Sequence, residues 1–130
     1  MNKKKAVVQA LGFLKYYGFT CAATHDKYQT YFYSYTHRDL VKITVYENYR
    51  DTVADLKIEK PVGHKVLDVW GANPVPVQEG FRLEGLQELA SALKSIHSVS
   101  PEGFAEIVEV YAVFIKKNID FLLDADNKDK

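Results

Sequence analysis

The chain has 130 residues, 47% apolar and 26% charged, which argues against extensive disorder and suits one domain with its own core. Lys plus Arg and Asp plus Glu number 17 each, so no global field draws the protein to nucleic acid or to an anionic membrane. One cysteine, Cys21, excludes an internal disulfide framework and fits a reducing compartment, and no run approaches the ~20 apolar residues of a membrane span.

The first segment, "MNKKKAVVQALGFL", has the basic start and apolar run of a secretory leader. Gln9 interrupts the run, Lys15 closes it, and no A-x-A site follows, so the expected location is the cytoplasm. Instead the spacing predicts an amphipathic helix over 4–17, with Val7, Ala10, Leu11, Leu14 and Tyr17 on one stripe. Gly18 and Phe19 read as its stop, the glycine left-handed and the phenylalanine packing back. Lys3, Lys4 and Lys5 oppose the positive end of the helix dipole.

From Phe19 to Trp70 the period becomes two. "FTCAAT", "YQTYFYSYT", "LVKITVYEN", "TVADLKIE" and "HKVLDVW" read as strands, giving an antiparallel meander of four to five. The separators "HDK", "HRD", "YRD" and "PVG" are turn-like and short. Residues 71–80, "GANPVPVQEG", carry two prolines that cannot donate to a ladder and read as a linker or crossing loop. Two helices follow. Residues 84–97 align Leu86, Leu89, Ala90, Leu93 and Ile96. Ser100 and Pro101 are cap and first residue of a helix over 101–123 aligning Phe104, Ile107, Val108, Tyr111, Ile115 and Leu122. The globular unit is expected to span 1–123, with 124–130 a frayed acidic tail. The fold class is α+β: an N-terminal helix, the sheet, and two C-terminal helices on one sheet face.

The stretch Tyr28 to His37 holds four tyrosines and a phenylalanine. A tight hairpin turning on Arg38 and Asp39 sets Phe32 against Val45, Ser34 against Ile43 and Thr36 against Val41, on the face that packs the helices. The opposite face then carries Tyr31 against Tyr46, Tyr33 against Thr44 and Tyr35 against Lys42. Tyrosine offers large apolar area, a polar tip and only two torsions to freeze, which suits recognition. The same residues also suit simple cladding of a solvated sheet, or a face covered by the 71–80 loop or by a second subunit.

No chemistry-bearing motif is complete. "HRDL" at 37–40 matches a kinase catalytic loop in letters but lacks its downstream Asn and upstream Gly-rich loop. Cys21 and His25 stand four apart with His37, His64 and His97 scattered, which is not a zinc pattern. Asp51, Asp55 and Glu59 recur at four-residue spacing, but in the strand over 52–59 Asp55 and Glu59 share a side with Lys57 and read as a solvated face. Neither a phosphate loop nor an RNP motif occurs, so no metal, no cofactor and no catalysis are expected.

At the level of class alone, a neutral, motif-free α+β domain resembles small bacterial or phage proteins that work by occlusion, such as immunity proteins, inhibitors and secretion chaperones. The expected function is therefore a non-catalytic protein-binding module. Its contact anchors are Tyr31, Tyr33, Tyr35 and Tyr46, flanked by Lys42 and Arg38, and its partner is another protein, with a homodimer also open. The alternative is a single-stranded nucleic-acid binder stacking bases on the same tyrosines.

Overall fold

The computed structural model describes residues 3–25, 31–38, 40–47, 54–70, 76–96 and 101–124. Helix α1 (Lys3–Leu11) tightens into a 3₁₀ segment, Gly12–Tyr17. Six strands follow: β1 (Thr20–His25), β2 (Tyr31–His37), β3 (Val41–Glu47), β4 (Ala54–Lys60), β5 (Lys65–Val69) and β6 (Val77–Glu79). The chain closes with α2 (Leu86–Lys94), α3 (Pro101–Lys117) and α4 (Ile119–Leu122). The class is α+β, and the sheet is antiparallel with strand order equal to chain order.

The helical stripes fall where the spacing places them. Val7, Ala10, Leu11 and Leu14 are buried, as are Leu89 and Leu93 of α2 and Phe104, Ile107, Val108, Tyr111 and Ile115 of α3. Tyr17 departs from its stripe and is exposed, because the 3₁₀ segment turns every three residues and rotates it out of phase. Gly18 caps that segment at φ 93°, donating its N–H to Lys15 O, while Phe19 N–H reaches back to Leu14 O and its ring is buried.

Two polar side chains tie the layers together. Asn118, buried at the break between α3 and α4, donates from Nδ2 to Glu84 O at 2.9 Å and accepts Glu84 N–H at 2.8 Å, fixing the approach to α2. Lys60 is buried at the end of β4 and donates from Nζ to Leu122 O and Asp124 O, each at 3.1 Å, holding the carbonyl end of α4. Burial, then the neighbouring Lys65 charge, holds the Lys60 ammonium below the ordinary lysine value.

Three expectations are corrected. The sheet has six strands, because Val77–Glu79, inside the expected linker, pairs with β5 (Val66 with Glu79, Asp68 with Val77). Proline blocks a central strand but leaves room for a short edge strand after Pro76. The final helix divides at Asn118 instead of running unbroken from 101 to 123. The β2–β3 register shifts by one residue: Tyr33 opposes Val45, Tyr35 opposes Ile43 and His37 opposes Val41. The loop between His37 and Val41 is three residues, not two. Arg38 takes the left-handed conformation at φ 51° and Leu40 N–H donates to His37 O. The predicted cap Ser100, the turn residue Asp39, Asp51, His97 and the tail beyond Asp124 lie outside the described residues.

The shift decides what lies in the core. Tyr33 and Tyr35 are 4% and 1% exposed, on the inner face with Val41, Ile43, Val45, Leu56, Ile58, Leu67 and Val69, against the helices. Each such aliphatic side chain contributes ~1.5–3 kcal/mol on burial. Tyr111 of α3 anchors the layers by donating its hydroxyl to Ala54 O at 2.6 Å. The helical layer stops short of β1, whose residues Thr20 to Thr24 are exposed on both faces.

Candidate outer-face interaction surface

Strand alternation and the observed register place the outward side chains in three rows. The first runs Thr24, Phe32, Tyr46, Asp55. The second runs Ala22, Ser34, Thr44, Lys57, Asp68, Val77, and the third Thr20, Thr36, Lys42, Glu59, Val66, Glu79. None of these side chains is buried. Trp70 follows inward Val69 directly past the end of β5, at the end of the sheet where the first row lies, and is 62% exposed.

Phe32 and Tyr46 stack across β2 and β3 with ring centroids 5.6 Å apart. The Tyr46 phenol is raised above the ordinary value, first by partial burial under these neighbours, then by the Asp55 and Asp68 carboxylates. Lys57 opposes Asp68 across β4 and β5, and its Nζ lies 3.4 Å from Glu59 Oε2. Carboxylates Asp55, Glu59, Asp68 and Glu79 outnumber lysines Lys42 and Lys57 on this face. The surface is aromatic at one end, mixed in the middle and weakly acidic as a whole.

The six residues expected to form one contact face are divided by the fold. Tyr46 and Lys42 share the outer face, four residues apart on β3, ~13 Å along the strand. Tyr33 and Tyr35 are in the core. Tyr31 is on their side of the sheet, at its rim, 38% exposed. Arg38 is exposed in the β2–β3 turn, at the opposite end of the strands from Tyr46. Phe32 and Trp70 take the places of the two buried tyrosines. The three-residue loop that turns Phe32 outward had no signal in "HRDL", and the alternation of "HKVLDVW" by itself assigned no side to Trp70.

The three described histidines do not converge. His37 packs on Phe19 with centroids 5.2 Å apart, His64 is exposed in the β4–β5 turn, and His25 ends β1 at the opposite end of the sheet. Among the described residues no group of three or more His, Cys, Asp or Glu is placed to hold a metal ion. No described helix is long and apolar enough to cross a membrane. Comparisons of the chain with protein-family models, with curated proteins and with solved structures find no match.

Proposed function

We propose that this protein is a non-catalytic protein-binding module, an inhibitor- or immunity-type factor that occludes its partner with the outer sheet face. The observation carrying this reading is that all the described helices pack on one side of the sheet. The other side is left uncovered by described elements, with Phe32, Tyr46 and Trp70 gathered at one end. A cluster of partly exposed aromatic side chains on a rigid sheet, rimmed by polar residues, is the composition of a protein-contact centre. The carboxylate excess favours a partner whose contacting surface is basic. It weighs against the alternative, a single-stranded nucleic-acid binder, since phosphates would meet Asp55, Asp68, Glu59 and Glu79. Tyr46 and Lys42 keep their proposed contact roles, and Phe32 and Trp70 join them.

The test is affinity capture from the native host with nuclease-treated and untreated extract, repeated with Trp70→Ala and Tyr46→Ala. A stoichiometric protein retained after nuclease is expected. Trp70→Ala should weaken its binding by more than about tenfold, which is ~1.4 kcal/mol, with an unchanged thermal midpoint. Partner binding unaffected by both substitutions would remove this face from the interaction. Material lost on nuclease treatment would transfer the aromatic face to nucleic acid.

A further inference from the structure

We propose that two copies of this chain pair edge to edge through β1, about a two-fold axis at Ala22, to form a continuous twelve-stranded sheet. The six-stranded sheet ends in β1 on one side and β6 on the other. A sheet edge invites another strand unless it is shortened, charged or interrupted. At β6 the protection is present: three residues, preceded by Pro76 and ending in Glu79. β1 has none of these devices. Its six residues, "TCAATH", pair with β2 without a bulge, carry no acidic or lysine side chain and no proline, and are exposed from Thr20 to Thr24. Among the described residues no strand lies beyond it.

The occupant follows from the side chains. A foreign peptide added to an edge gains its specificity from pockets that take alternate side chains, and the small residues of β1 present little relief for that. A second copy needs only self-complementarity, the requirement of a two-fold interface. "TCAAT" is close to a palindrome: centred on Ala22, antiparallel pairing sets Ala22 against its own copy, Cys21 against Ala23 and Thr20 against Thr24. Threonines opposed across strands pair favourably, and no charge meets its like. The neighbouring register, centred on Ala23, would set Cys21 against His25 and Ala22 against Thr24, and so lose the pairing of threonine with threonine. Cys21 and Ala23 on the inner side are exposed, so the helical layer does not stand in the way of the incoming sheet. In the dimer both outer faces lie on the same side. A single strand pair is a small interface, below ~1,200 Å², so association is expected to depend on concentration.

Sedimentation velocity over about 10 to 500 µM, the range a weak interface of this kind spans, reads the assembly directly. Wild type should move from the mass of one chain to that of two. Ala22→Lys, which opposes a lysine to its own copy on an already exposed strand, should weaken this at least tenfold with an unchanged circular dichroism spectrum. The double variant Cys21→Ser/Ala22→Cys should form a disulfide-linked dimer on mild oxidation. Wild-type Cys21 should not, since in this register it lies diagonally from its copy, beyond disulfide reach. A single-chain mass at the highest concentration, equal dimerisation of Ala22→Lys, or no cross-link through residue 22 would each overturn the proposal. The cross-link decides the matter if Ala22→Lys fails to fold. None of these variants alters Phe32, Tyr46 or Trp70, so the result is separate from partner binding by the outer face.

Discussion

Four tyrosine phenols, those of Tyr33, Tyr35, Tyr46 and Tyr111, are held above the ordinary tyrosine value, with burial the largest cause at each. At Tyr35 a hydrogen bond shared with the Cys21 thiol adds to it, and at Tyr111 the Asp55 carboxylate does. Such a phenol loses its proton first in the unfolded chain, at about pH 10. Above that pH the native state binds more protons than the unfolded state, so stability falls as pH rises. Lys60 acts in the other direction. Its depressed value means that the unfolded chain holds the proton longer, adding stability as pH rises towards the ordinary lysine value. Four phenols against one ammonium give a net loss in alkali. Urea midpoints measured from neutral pH upward should therefore decline above about pH 10, and less steeply in Tyr35→Phe and Tyr111→Phe. Tyr111→Phe should also cost about 1–2 kcal/mol at neutral pH, because Ala54 O loses its buried donor. An unchanged alkaline slope in both variants would contradict this account.

The β2–β3 hairpin is the element on which the surface turns. Its three-residue loop holds Arg38 left-handed at φ 51°, a conformation that costs an ordinary residue about 1–2 kcal/mol. Arg38→Gly should raise stability by up to about 1 kcal/mol, the relief being partly offset by the freer unfolded chain. Arg38→Val, β-branched, should lower it by more than about 1 kcal/mol, and urea denaturation reads both. If Arg38→Gly destabilised the protein as much as Arg38→Val, the left-handed turn would not be what sets the register. The same hairpin marks the limit of what the chain reveals before folding. Alternation within β2 and β3 was legible, since β-branched and aromatic residues recur at every second position, but the side each set faces depends on whether two or three residues turn the corner. Tyrosine suits either side, being apolar in its ring and polar at its tip, so Tyr33 and Tyr35 gave no chemical veto on burial. The helical stripes were legible because Leu, Ile and Val leave little choice of side. The short β6 and the break at Asn118 were not, as both rest on partners far away in sequence: β5 for one, Glu84 for the other.

For the molecule as a whole, consecutive strands are neighbours, so each pairing in the sheet closes only the short connection that precedes it. A much longer closure brings α1 onto α3, across most of the length of the chain. Short closures lose little chain entropy and form early, while the long one is unrewarded until the sheet already holds both ends in place. The terminal helix thus behaves as a latch set last. Leu11→Ala, which empties a buried position of α1, should cost about 2–5 kcal/mol, and nearly all of that loss should appear as faster unfolding. In stopped-flow refolding the variant should fold at close to the wild-type rate, whereas a refolding rate depressed in proportion to the lost stability would place α1 in the nucleus. On this view the strand order of the sheet sets a time order: the meander assembles by itself, and the lifetime of the finished protein is governed at the seam where its first helix meets its third.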